Sequence, residues 1–222
     1  QKLIAEYAAM LGTGFLGGQV HETVCNTHND WERIVKADKR FATEPVRLES
    51  IRSQFTWDSA QRWLEYGTVD DYAGRAYPVD HAAWWNEIER NARRQAARFG
   101  SHFCYAEGSH WGRLAWHIFY KWGAGYGLAE VGPWASQQSQ FVIASLRGAA
   151  KAAGKPWGVF FAPWGPEGCT SFIPESDWSW SCPRKMLDAS SWPVGPELGC
   201  SSAMQRRIFF HAYLSGARTL HE

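Results

Sequence analysis

Four glutamates stand at the ends of short apolar runs, and that placement points to two-carboxylate chemistry. Glu22 closes Gln19-Val20-His21-Glu22, Glu107 closes Phe103-Cys104-Tyr105-Ala106-Glu107, Glu130 closes Tyr126-Gly127-Leu128-Ala129-Glu130, and Glu222 closes Ala217-Arg218-Thr219-Leu220-His221-Glu222. Each run has the length and composition of a strand. Each glutamate has an apolar or aromatic residue two positions earlier (Val20, Tyr105, Leu128, Leu220), and the two-residue period of a strand puts that pair on one face. If the face is a common interior, the four carboxylates meet at one rim. Ionised carboxylates are costly to bury without partners, so such a gathering is expected to serve chemistry rather than stability. The chemistry is proton transfer, one carboxyl protonated and another ionised.

The elements that must position these side chains alternate along the chain. One further apolar run, Trp157-Gly158-Val159-Phe160-Phe161-Ala162, fourth in chain order, completes five predicted strands. Between them the spacing predicts helices: residues 80 to 99, with Asp80 as N-cap, a Val79–Trp84 staple and a stripe of Trp85, Ile88, Ala92, Ala96 and Phe99; residues 111 to 122; and Ser136 to Ala153, stopped by Gly154. Further helices are expected over Leu3 to Leu11 and Met204 to Leu214. Strands separated by helices at this spacing are parallel βαβ units, so the class is α/β. No Gly-x-Gly-x-x-Gly turn follows any strand, so a nucleotide-binding open sheet is disfavoured against a (β/α)8 TIM barrel, whose active site lies where the strands end. Five strands predict an incomplete barrel, a fragment spanning 1 to 222. It carries an excursion at 23 to 79, with helices over Asp30 to Phe41 and around Trp57 to Tyr66, and a long Pro/Ser/Cys-rich loop at 163 to 200 over the active site.

Composition narrows the partners. With 222 residues, 45% apolar and 20% charged, the chain can bury a core. Its 23 Lys+Arg against 22 Asp+Glu leave a formal charge of +1 with no run of like charge, so nucleic acid is not an expected partner. No apolar stretch approaches the ~20 residues of a membrane span, so none is expected. The 14 tryptophans are far above ordinary usage, and indoles stack on sugar rings. Trp134 and Trp164, just after the third and fourth strands, are expected to be stacking platforms, with Trp178, Trp180 and Trp192 in the long loop above. Cys25, Cys104, Cys169, Cys182 and Cys200 form no zinc spacing, so neither a metal nor another cofactor is assigned. A disulfide within the last three would favour a secreted or periplasmic setting, but the N-terminal sequence leaves the compartment undetermined.

Three segments together carry a resemblance: the strand ending Gln19-Val20-His21-Glu22, the run Gln140-Phe141-Val142-Ile143-Ala144-Ser145-Leu146-Arg147-Gly148-Ala149-Ala150 leading to Lys155-Pro156-Trp157-Gly158-Val159, and Tyr213-Leu214-Ser215-Gly216-Ala217 before His221-Glu222. The chain resembles (β/α)8-barrel glycoside hydrolases over residues 13 to 22 and 100 to 222. The resemblance implies a carbohydrate substrate and a glycosidase mechanism in which one carboxyl protonates the leaving oxygen while the other acts as nucleophile or base. It also implies catalytic residues among Glu130, Glu222 and Glu107, with Gln19, His21 and Glu22 contacting sugar hydroxyls beside Trp134 and Trp164. Pairing across three strands would join Glu222 to Glu107, yet Ala106 and Ala129 replace the Asn that usually precedes the acid in the large retaining clan. Glu222 is favoured as nucleophile or base, Glu130 as acid because Leu128 and Ala129 give it apolar surroundings, and Glu107 competes for that role.

Two rival readings share these residues. His21-Glu22 and His221-Glu222, with His110, offer nitrogen and oxygen ligands for a metal-dependent sugar isomerase or hydrolase. Against it, neighbouring strand residues point to opposite faces, which keeps a His and the next Glu off one ion. A non-catalytic carbohydrate-binding protein would keep the aromatic cleft without turnover.

Overall fold

The computed structural model of the chain describes residues 2–55, 64, 69–107, 115–132, 136–161 and 202–221. Helices α1 (Lys2–Leu11), α2 (Thr23–Ala37), α3 (Leu48–Ile51), α4 (His81–Phe99), α5 (Ala115–Lys121), α6 (Ser136–Ala153) and α7 (Ser202–Leu214) alternate with strands β1 (Gly18–His21), β2 (Phe103–Glu107), β3 (Tyr126–Val131), β4 (Trp157–Phe161) and β5 (Thr219–His221). The protein is therefore α/β. All five strands pair in parallel in the order β1-β2-β3-β4-β5, so each strand lies beside its successor in the chain. The chain divides into two compact units, residues 1–21 with 98–222 and residues 22–97. The second unit takes in most of α4.

Register fixes the two faces of the sheet. His21 stands beside Ala106, Ala106 beside Leu128, and Leu128 beside Gly158. Counting by two from that row, the first face carries Gln19, His21, Cys104, Ala106, Tyr126, Leu128, Glu130 and Phe160. Cys104, Ala106, Tyr126, Leu128 and Phe160 are a buried cluster on it, with Leu16 packed alongside. Gly158 belongs to this row because a side chain there would overlap Thr219 and the Tyr126 hydroxyl, which hydrogen-bond to each other. The second face carries Tyr105, Ala129, Val131, Val159 and Phe161 and meets the helices. Tyr105 stacks on Phe119 of α5 with ring centroids 3.4 Å apart, and Phe161 meets Phe209 of α7 edge to face. Gly127 on this face leaves room for Tyr120, whose hydroxyl donates to the Pro156 carbonyl at 3.0 Å.

The unit of residues 22–97 has a core of its own, built from Trp31, Ile34, Phe41, Val46, Ile51, Leu64, Val69 and Tyr72. Helix α2 begins at Thr23, seven residues before the predicted Asp30, although Thr, Asn and His are weak helix formers. Its buried positions Thr23, Thr27, Asp30, Trp31 and Ile34 recur at helical spacing, so packing overrides propensity. Asp30 is fully buried and accepts from the Tyr72 hydroxyl at 2.9 Å. The helix ends at Ala37, and Asp38 then caps a 3-10 turn over Lys39–Ala42 by accepting from the Arg40 N–H.

Helix α4 has its predicted limits and cap, the Ala83 N–H donating to Asp80 at 2.7 Å, but not its predicted stripe. The buried residues are Glu87, Asn91, Ala92 and Gln95, while Trp85 is 46% exposed and Val79, the expected staple, 82%. Glu87 and Asn91 take the inner side because donors and acceptors meet them there: Trp31 Nε1 donates to Glu87 at 3.3 Å, Asn91 donates to Thr27 Oγ1 at 2.9 Å, and Arg75 pairs with Glu87 while lying 4.7 Å over the Tyr72 ring. Burial lowers the Arg75 guanidinium to about 10 and raises the Tyr72 phenol. The helix predicted around Trp57 to Tyr66 and the loop at 163 to 200 lie outside the described residues apart from Leu64.

Candidate functional site

In a parallel sheet all strands finish at one end, and there their last side chains can meet. His21 is the last residue of β1, and Glu130 is the fifth residue of the six in β3. Both leave the first face at this end. His21 Nε2 lies 3.2 Å from Glu130 Oε2. The Glu130 residue is 8% exposed, whereas the His21 side chain keeps 37% of its surface in solvent. The Phe160 ring, also on this face, meets the imidazole edge-on with centroids 5.2 Å apart and limits its rotation. A buried carboxyl thus reaches solvent through a titratable imidazole. The pair can hold one proton in either sense, imidazole N–H donating to carboxylate or carboxylic acid donating to neutral Nε2.

Glu107 does not join this pair. It stands beside Ala129, one register position before Glu130, so the two carboxylates leave the sheet on opposite faces. Glu107 is fully buried and accepts from the hydroxyl of Tyr105, whose ring stacks on α5. The expected convergence of Glu107 with Glu130 is thereby corrected. A residue two positions back always shares a face with its glutamate, whichever face that is, so this spacing does not distinguish the two faces.

Glu22 is not part of β1. Its backbone turns into the left-handed region at φ 52°, the sole non-glycine with positive φ among the described residues, and α2 starts immediately after it. The alternation that would place His21 and Glu22 on opposite faces therefore ends at His21, and that argument against shared ligation does not apply. Gln19 lies on the first face two residues before His21 and is exposed. Glu222, Trp134, Trp164, His110, Cys169, Cys182, Cys200 and the tryptophans of the long loop lie outside the described residues, while Cys104 is a free thiol and Cys25 Sγ accepts from Asn29 Nδ2 at 3.7 Å.

Burial pushes the Cys104 thiol up to about 12 and the Tyr126 phenol to about 12, so deeper on the first face these groups stay neutral at ordinary pH. The sequence reading did not foresee the bond between His21 and Glu130 or the ring of Phe160 beside it, because both depend on strand register. No family model, curated protein or solved structure matches the chain.

Proposed function

We propose that the chain belongs to a (β/α)-barrel glycoside hydrolase, in which Glu130 is the acid/base and His21 shuttles its proton to solvent. The observation that carries the reading is the 3.2 Å contact between buried Glu130 and half-exposed His21 at the C-terminal end of parallel strands. Strand order adds support. A doubly wound sheet reverses its order at a switch point, whereas β1 to β5 run in sequence without reversal, as barrel strands do. The second carboxyl of the mechanism is assigned to Glu222, and carbohydrate is the substrate class because the composition holds 14 tryptophans.

A carboxylic acid at Glu130 would donate to the glycosidic oxygen as the bond breaks, and His21 would return a proton from water. The described residues hold five strands, fewer than the eight of a closed barrel, so the test uses the full-length protein. It is a panel of aryl glycosides and natural glycans, with wild type and Glu130→Gln compared. The reading expects cleavage by the wild type and a fall in kcat of about 10²–10⁴ in the variant with sugar binding retained. Binding without turnover by the wild type would make this a carbohydrate-binding protein.

A metal-dependent sugar isomerase or hydrolase stands second, on the same pair, since an imidazole nitrogen and a carboxylate oxygen are common ligands of a divalent ion. Metal analysis of the purified protein, and activity after chelation and re-addition, separate the two.

A further inference from the structure

At the opposite end of the strands from Glu130, the sheet unit holds a groove of about 480 Å³. Arg147 and Lys151 of α6, Lys155 before β4 and Arg218 before β5 line it, with Pro156 and Trp157 as its apolar part. Among the described residues no carboxylate lines it, and none of the four cations has an ion-pair partner. The chain as a whole carries only +1, so this is a local concentration of charge.

Cations gather at helix C-termini for an ordinary reason, to satisfy carbonyls and complement the helix dipole, and α6 and α7 both end here. That reason falls short. The last carbonyls already have backbone donors: Lys155 N–H to Ala150, Gly154 N–H to Lys151, Ser215 N–H to His211 and Ala217 N–H to Ala212, at 2.9 to 3.3 Å. Two helix ends contribute roughly half a negative charge each, about −1 together, against four full positive charges. A surplus of about three charges remains, which no carboxylate of the described residues offsets.

We propose that this groove binds a compact polyanion bearing two or three phosphate groups. Arg147 and Arg218 supply planar forks matched to phosphate oxygens, and Lys151 and Lys155 act as point charges between them. The site is independent of the glycosidase reading, since it uses none of the residues at the other end of the sheet.

The test is calorimetric titration of the whole chain with tripolyphosphate at low salt. Wild type, Arg147→Gln/Arg218→Gln and the control Lys36→Gln/Lys121→Gln are compared. The control removes the same net charge from exposed positions outside the groove. The proposal expects saturable binding, weaker for monophosphate, with at least a roughly tenfold loss of affinity in the groove variant and little change in the control. Circular dichroism checks folding. If the double variant fails to fold, Lys151→Gln/Lys155→Gln, both on exposed side chains, takes its place. No binding by the wild type, or equal loss in groove variant and control, overturns it.

Discussion

Glu107 ends β2 and Glu130 stands one residue before the end of β3, one register position apart, and both are buried, yet they live in different chemical settings. Glu107 points toward the helical layer, wholly enclosed, with Tyr105 as its donor. Glu130 points to the other face and touches an imidazole that reaches water. The difference teaches that burial of an acid is not itself a sign of function. Asp30 and Glu87 make the same point in the second unit, where Tyr72, Trp31 and Arg75 satisfy them within a packed core. What singles out Glu130 is a route for a proton between a sheltered site and solvent.

The largest expected effect breaks the comparison if it fails. Glu130→Gln should cost about 10²–10⁴ in kcat while leaving thermal stability nearly unchanged, since a glutamine still accepts from His21. Glu107→Leu should do the reverse. It removes the acceptor of the buried Tyr105 hydroxyl and should lower unfolding stability by about 1–3 kcal/mol, with kcat of the folded fraction preserved. Urea unfolding and steady-state kinetics on both variants decide the matter. A folded Glu107→Leu protein without turnover, beside an active Glu130→Gln, would move the acid role to the helical side.

Alkaline titration sharpens the contrast within the first face. Cys104 and Tyr126 share it with Glu130 but titrate near 12 in the folded state, against ordinary values of 9.0 and 10.0. Protons held by the folded chain and lost by the unfolded one make stability fall as pH rises. Stability from these two groups is complete below about pH 9 and declines toward pH 12. Denaturation midpoints between pH 8 and pH 11 should drop, and Cys104 should resist thiol reagents at about pH 8 until the protein unfolds.

Much of the sheet was legible. Phe103–Glu107 has the bounds read from its alternation, and Tyr126 and Trp157 begin their strands as expected, because short apolar runs between breakers specify strands locally. Register was not legible, since it depends on which residues of one strand stand beside another, and it decides the company of every glutamate. The inner side of α4 was misread for a related reason: apolar counting assigns Glu87 and Asn91 to solvent, and only their partners Trp31 and Thr27 explain their burial. The basic groove escaped a search for charge runs because Arg218 reaches Arg147 only through the fold.

The smallest expected effect concerns Glu22, at the exit from β1. A non-glycine residue in the left-handed region costs about 1–2 kcal/mol, because its Cβ crowds the following carbonyl. Its side chain makes no cap hydrogen bond to α2, and its carbonyl, which accepts from the Asn26 N–H at 2.8 Å, is present whatever the side chain. Glycine would relieve the crowding but add about 0.5–1 kcal/mol of unfolded-state entropy, so Glu22→Gly should stabilise the protein by about 0.5–1 kcal/mol. Thermal unfolding reads that gain. The glycosidase reading gives Glu22 a contact to sugar hydroxyls, so on that reading the same variant should also lower kcat/KM. A variant that gains stability and loses no activity would leave the proton route to His21 and Glu130 alone. One that loses stability would show that the Glu22 side chain holds the turn, and the strain argument would fall.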